Sequence, residues 1–337
     1  MKLYYLIGRR ILQVIPVFLG VTLLTFAVSH SIPGDPARAI AGIYANEQTV
    51  EAIRHRWGLD RPVYEQYGIY VKGLVQGDLG VSIQSRRPVM DDISDRLPAT
   101  IELALFALIL MCLIGIPVGV VSANWRNKLP DHLSRLFVLI GGAVPTFWLA
   151  LVAQLVFFRY LGWLPSGGRT SDMIASPSHI SGLYLLDSAL TLNGAALVDS
   201  LEHILLPGIT LALAGITSIT RMTRASMLEV LQRDYIKAAR AKGLSRRKVV
   251  LKHAFKNALI PTVTILGMMF GSMLSGAFVV EWIFSWPGLG SLAATSITNL
   301  DYTTIMGVSV VIAFVYVLAN LVVDVSYMIL NPRIRLE

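Results

Sequence analysis

The chain holds one cysteine, few charges and none of the side-chain sets that bind nucleotides or metals. Cys112 stands alone inside an apolar segment, so it can form no intrachain disulfide and says nothing of redox compartment. No G-x-x-x-x-G-K-S/T loop is present to cradle a nucleotide, so this chain is not expected to hydrolyse ATP itself. The six histidines are scattered, without an H-E-x-x-H pair or a cysteine cluster, so no metal ligands are expected. A G-x-S-x-G nucleophile elbow is missing too, and no catalytic residue is assigned. Ionisable residues are scarce in the middle of the apolar runs, and the two halves show no inverted repeat. An ion-coupled secondary transporter, the competing reading from another functional class, would be expected to carry mid-span ionisable residues and an inverted repeat, and this sequence shows neither.

What the chain does have is apolar length. Of 337 residues 54% are hydrophobic and only 15% charged, the composition of an all-α polytopic membrane protein. Six transmembrane helices are expected: Ile11 to Ser29, Pro98 to Ala123, Leu136 to Phe158, Ile204 to Thr220, Leu259 to Phe278 and Thr304 to Leu330. Lys2, Arg9 and Arg10 precede the first. It reads as a retained span, because Val28-Ser29-His30-Ser31 does not resemble a signal-peptide cleavage site. The net charge of +8 does not call for nucleic acid, since its excess collects in short loops. Nineteen Lys or Arg lie in the N-terminus, residues 124–135, residues 221–261 and the tail, against two in the segments 159–203 and 279–303. By the positive-inside rule both termini are cytoplasmic. The chain then divides into residues 1–29 (N-terminus and first helix), an extracytoplasmic subdomain at 30–97, a core at 98–330 and a cytoplasmic tail at 331–337.

Within 30–97, Asn46 to Trp57 and Tyr64 to Leu74 suit amphipathic helices, and Gly77-Asp78-Leu79-Gly80 a turn. Asp35 and Asp78 beside Gly or Pro fit turn chemistry or substrate contact. Glu102 near the outer end of the second span either lines a polar cavity or rests at the interface. Gly141-Gly142-Ala143-Val144-Pro145 should kink the third span. The fourth span, with Pro207, Gly208 and Gly215, reads as short and broken, a common feature of a pathway. Gly267 and Gly271 permit close helix approach in the fifth. Trp282 and Trp286 are expected at the membrane interface. Asp324 reads as an interfacial cap or interhelical partner.

The most informative stretch is 221–261, with eleven Lys or Arg against Glu229 and Asp234. Ser226 to Lys242 keeps helical spacing and stops at Gly243, and Ser245 is placed to cap a second helix. There Leu251, Phe255 and Leu259 recur every four residues beside a stripe of Lys248, Lys252 and Lys256. Such a loop could merely set topology, bind nucleic acid as a helix-turn-helix, or dock a cytoplasmic partner.

The run Asp234-Tyr235-Ile236-Lys237-Ala238-Ala239-Arg240-Ala241-Lys242-Gly243 resembles the EAA motif of ABC-importer permeases, in its dipeptide/oligopeptide/nickel form. Lys237 at the usual Glu position and His253-Ala254-Phe255-Lys256 in place of an Ile-x-Leu-Pro ending follow the peptide-permease variant. Pro33-Gly34-Asp35-Pro36, Val144-Pro145-Thr146-Phe147-Trp148, Leu164-Pro165-Ser166-Gly167-Gly168-Arg169, Phe284-Ser285-Trp286-Pro287-Gly288-Leu289-Gly290 and Asn331-Pro332-Arg333-Ile334-Arg335 also resemble segments of that family, closest to the dipeptide permease. The resemblance implies a type I permease architecture in the bacterial inner membrane. Its cytoplasmic coupling helix would use Asp234, Tyr235, Ala238, Ala239, Lys242 and Gly243, and its pathway is assigned to Glu102, Pro145, Phe147 and Pro207. It also implies a second homologous permease subunit, two cytoplasmic ATPase subunits holding ATP and Mg, and an extracytoplasmic solute-binding protein. This chain itself is expected to bind no cofactor. The expected cargo is dipeptides or short peptides, with glutathione, heme or nickel complexes as alternatives within the same role.

Overall fold

The computed structural model describes residues 3–31, 36–41, 45–56 and 58–330. Asp35, the tail 331–335 and the side chain of Asp324 lie outside the described residues. Among the described residues the chain is mostly helical, with an isolated Val81–Pro88 bridge in place of any strand. It forms two compact units.

One unit takes residues 2–97 and 291–315. It opens with α1 (Leu3–Ser31), which contains the expected first span, and continues through α2 (Pro36–Ala41), α3 (Glu47–Arg56) and α4 (Val63–Val75). Helices α3 and α4 match the two amphipathic expectations. Asn46 starts α3 by accepting from the Thr49 N–H at 2.8 Å. Asp78 proves to be turn chemistry: its Oδ1 accepts the Gly80 N–H at 2.8 Å, between Gly77 and Gly80 at φ +80° and +83°.

The other unit takes residues 98–290 and 316 onward. α5 (Val89–Leu110) begins nine residues before the expected second span, with Asp91 and Asp92 in its first turn, where the helix dipole favours acids. A π-helical turn, Met111–Gly115, joins it to α6 (Ile116–Asn124). α7 (Leu129–Ala143) and α8 (Thr146–Ala153) are bent by 99° at Val144-Pro145, so the expected kink is a full corner. α9 (Tyr184–Leu190) precedes α10 (Gly194–Val230), a 37-residue helix roughly 55 Å long.

The short, broken fourth span is thus overturned. Asn193 caps α10 at 3.1 Å, and the helix runs on through a buried Pro207. Its glycines, with those of α6, serve close packing. A Cβ on Gly208 would sit 2.3 Å from the Phe106 ring, one on Gly215 2.0 Å from Met111, and one on Gly119 2.6 Å from Thr223.

The remaining helices are α11 (Asp234–Ala241), α12 (Arg246–Lys248), α13 (Phe255–Gly276), α14 (Phe278–Ile283), α15 (Leu289–Thr298) and α16 (Tyr302–Leu330). Gly271 of α13 approaches Tyr316 of the same chain, where a Cβ would lie 3.1 Å from its ring. Among the described residues, four helical stretches are long and apolar enough to cross a membrane: Val89–Asn124, Gly194–Val230, Arg246–Met273 and Tyr302–Leu321. The bent pair α7 and α8, extended to Tyr160, makes a fifth if it counts as one span. Six are therefore not reached within the described residues, where the apolar part of α1 covers only Ile15–Val28.

Candidate functional site

The basic loop is a folded unit. The expected helix from Ser226 to Lys242 is two helices, because α10 ends at Val230 and the chain turns through Leu231-Gln232-Arg233 before α11. Gly243 then ends α11 as expected. At φ +76° its N–H donates to the Arg240 carbonyl (2.9 Å) while Leu244 N–H reaches back to the Ala239 carbonyl (3.4 Å). That paired return is the Schellman ending, in which the left-handed residue is usually glycine. Ser245 occupies the cap position of α12 without a side-chain hydrogen bond.

Burial sorts the coupling candidates. Ile236 and Ala239 face inward and pack with Ala123, Met227, Val249, Val250, Ala254 and Ala258. Asp234, Tyr235, Ala238 and Lys242 face out. The Tyr235 hydroxyl accepts from Asn257 Nδ2 at 2.8 Å, which fixes the ring against α13. Asp234 pairs with Lys237 at 2.8 Å, an exposed pair of little energetic weight. The apolar stripe of the following helix is shifted by one residue: Val250, Ala254 and Ala258 are buried, while Leu251 is 50% exposed. A π-helical turn, Val249–Ala254, carries this shift, since it places an extra residue in the turn.

Beneath the loop, Asp131 at the start of α7 is completely buried. It accepts from Arg224 of α10, from Ser122 Oγ at 2.6 Å, from Asn127 N–H at 2.9 Å and from Arg135 at 2.6 Å. Arg246 of α12 donates to the side-chain and backbone oxygens of Asn124. Loop 221–261 is thereby tied to the 124–131 turn by hydrogen bonds.

At the far end of α10 lies a second polar cluster. Glu102 does not open onto a cavity in this chain. It is buried, accepts from Arg169 Nε at 2.9 Å and Nη2 at 2.5 Å, and receives the Leu185 N–H at 2.7 Å. Arg169 also donates to the Gly182 carbonyl (2.6 Å) and lies 3.6 Å over the Tyr184 ring. Asp187 accepts the N–H groups of Ile180, Ser181 and Gly182 and the Ser181 hydroxyl. Burial works against its charge, but these four donors prevail and hold its carboxyl below the usual carboxylate range.

Trp286 corrects the interfacial expectation: it is 1% exposed and donates Nε1 to the Ala99 carbonyl at 2.9 Å. Trp282 is half exposed. The turn after Trp286 is built around Glu281, which is wholly buried and accepts from Thr100 Oγ1 and Gly290 N–H, each at 2.7 Å. A Cβ on Gly288 would lie 2.4 Å from the Glu281 carboxylate, so glycine there lets the backbone close on the acid. Gly167 fits as tightly, where a Cβ would stand 2.0 Å from the Phe284 carbonyl oxygen.

The four pathway candidates are not brought together. Phe147 is 53% exposed and lines a hollow of about 440 Å³ with Met111, Leu211, Met269 and Met273. Pro145 caps α8 nearby, Pro207 is buried in α10, and Glu102 belongs to the Arg169 cluster. The methionines give this hollow a compliant apolar wall. Sequence reasoning missed Glu281, Asp131 and the partnership of Arg169 with Glu102. The neighbouring glycines of 167–168 and 288–290 were the only signal of tight backbone around buried acids.

Residues 115–336 match the family described as binding-protein-dependent transport system inner membrane component, and residues 2–104 match the N-terminal part described for the same systems. The chain is 46% identical to the probable D,D-dipeptide transport system permease protein DdpB of Escherichia coli strain K12, over 99% of this chain and 98% of that one. It is 44% identical to the dipeptide transport system permease protein DppB of Alkalihalophilus pseudofirmus, over 97% and 98%. The glutathione transport system permease protein GsiC of Escherichia coli O6:H1 is 40% identical over 97% of each chain. Among solved structures the MetNI methionine ABC transporter, in an inward-facing conformation, matches 69% of this chain and 93% of its own with TM-score 0.51 at 18% identity. At that identity the likeness is one of fold.

Proposed function

The chain belongs to the family of inner membrane components of binding-protein-dependent transport systems, and from that premise we propose that it forms half of the translocation pathway for dipeptides or short peptides. It is a multi-pass inner-membrane permease of an ABC importer. The peptide assignment rests on relatives at 44–46% identity named for dipeptide transport. A glutathione permease at 40% supports a second reading, since glutathione is itself a short peptide.

In this reading both termini and loop 221–261 are cytoplasmic, as the charge asymmetry favours. One of two ATPase subunits, which hold ATP and Mg, docks on α11; a second homologous permease completes the pathway and carries the other, and an extracytoplasmic solute-binding protein delivers cargo. The observation that carries the docking assignment is the two-sided α11. Ile236 and Ala239 fasten it to its own chain, and Tyr235, Ala238 and Lys242 are left exposed beside the Gly243 turn. A helix held firmly on one face can transmit a push received on the other. Closure of the ATPases would then shift the spans between inward- and outward-facing states, a change of populations between two arrangements.

The test uses Ala238→Asp and Lys242→Glu in the assembled complex. Ala239→Asp is unsuitable, because it would bury a carboxylate in the loop's own core. Loss of ATPase co-purification and of dipeptide uptake in proteoliposomes, with membrane insertion intact, is expected. Wild-type uptake by both variants would overturn the docking assignment.

A further inference from the structure

The helices on either side of the 125–128 turn leave an open apolar groove between them. Its walls are Ile114, Pro117 and Val121 on one side and Pro130, Leu133 and Phe137 on the other, around a hollow of about 450 Å³. Ser134 also lines it, but its hydroxyl is engaged by the Pro130 carbonyl at 2.6 Å. Val121 is 44% exposed and Leu133 56%, so the apolar walls stand open.

The turn that closes one end of this groove reads Trp125-Arg126-Asn127-Lys128. Trp125 is 43% exposed. Arg126 and Lys128 are exposed, and among the described residues neither takes part in an ion pair. The one acid nearby, Asp131, is buried and answered by Arg224 and Arg135. Asn127, at φ +61°, donates its N–H to that same carboxylate and so fixes the turn. The turn is therefore positive, held in place by that hydrogen bond, and contributes no exposed carboxylate of its own.

We propose that this groove is a binding site for one anionic phospholipid, with an acyl chain along the trough and the phosphate between Arg126 and Lys128. Each part of the ligand finds its counterpart. The trough accepts hydrocarbon, the indole of Trp125 suits headgroup depth, and the Arg126 fork and Lys128 ammonium suit a phosphate. An apolar helix of another protein would fill the trough and leave both cations unanswered. Free phosphate would meet the cations and make no use of the trough.

The test is native mass spectrometry of the detergent-purified importer complex, titrated with palmitoyl-oleoyl phosphatidylglycerol, the matching phosphatidylcholine, or inorganic phosphate. Phosphatidylglycerol is expected to bind about tenfold more tightly than phosphatidylcholine. Arg126→Gln with Lys128→Gln should erase that preference; both are exposed turn residues, so the fold is kept. Leu133→Trp should fill the trough and remove both lipids. Equal binding of the two lipids by the parent, or a preference that survives the double substitution, overturns the proposal. So does displacement of the lipid by millimolar phosphate, which would mark a phosphate site. Efficient cross-linking of Leu133→Cys to a partner subunit, with no lipid retained, would mark a protein interface and overturn it as well.

Discussion

Arg224 grips both carboxylate oxygens of Asp131, donating Nε at 2.7 Å to Oδ1 and Nη2 at 3.0 Å to Oδ2. The pair joins the long helix α10 to the start of α7, directly below the loop assigned to ATPase docking. Because Asp131 is fully buried, the arrangement fixes a relative position of two helices more than it adds net stability.

Asp131→Ala would remove the acceptor shared by Arg224, Arg135, Ser122 Oγ and the Asn127 N–H, leaving Arg224 only the 3.1 Å contact of its Nε with Ser122 Oγ. Because Arg224 and Arg135 are partly exposed and water can reach them, the cost is that of unsatisfied buried donors, about 1–3 kcal/mol. The unfolding midpoint of the purified protein should fall accordingly, and Arg224→Ala should cost less because Asp131 keeps Arg135, Ser122 and Asn127. The double variant should lose less than the sum of the singles. Strict additivity would mean that the pair is not energetically coupled.

Gly243 sits at φ +76° with nothing within 4 Å of where a Cβ would stand. Strain alone therefore sets the cost of Gly243→Ala, about 1–2 kcal/mol. Gly243→Asn should recover part of it, since Asn tolerates the left-handed region better. Hydrogen exchange of residues 234–244 reads the difference; identical protection in glycine, alanine and asparagine forms would remove the Schellman ending as the reason for glycine.

Gly167→Ala is a different kind of substitution. Its Cβ would meet a backbone oxygen at 2.0 Å, and that oxygen also accepts the Gly168 N–H at 2.9 Å. Backbone cannot swing aside like a side chain, so the loss should reach or exceed the roughly 1–3 kcal/mol of ordinary overpacking. Gly194→Ala, at an open position in the first turn of α10, is the control and should be neutral or slightly stabilising. A thermal shift in the control equal to that of Gly167→Ala would refute the contact.

The helices, the α7–α8 corner and the Gly243 turn were legible because periodicity, proline and glycine act locally. Pro207 misled for the same reason. Its local meaning is a break, yet helix packing through Gly208 and Gly215 holds α10 continuous past it. The burial of Glu102 and Trp286 was not foreseen because their partners, Arg169 and the Ala99 carbonyl, lie 67 and 187 positions away in the chain. No local pattern reveals such a pairing. The two faces of α11 were only half legible: Ala238 and Ala239 are equivalent as a pair of small residues, and only the position of Val249, Val250 and Ala254 decides which one is buried.

The Glu102–Arg169 pair allows structure to be separated from transport. Both side chains are buried, and Arg169 bridges Glu102, the Gly182 carbonyl and the Tyr184 ring. Glu102→Gln or Arg169→Met alone should destabilise by about 3–5 kcal/mol, because each leaves a buried charge unanswered. Glu102→Leu combined with Arg169→Met removes both charges and should regain most of that loss. Thermal unfolding and peptide uptake are then measured on the same preparations. If the pair serves only to pin segment 164–185, uptake returns with stability in the double variant. A stable double variant that still fails to transport would show that the charges themselves act during the transport cycle, and the purely structural reading of this cluster would fall.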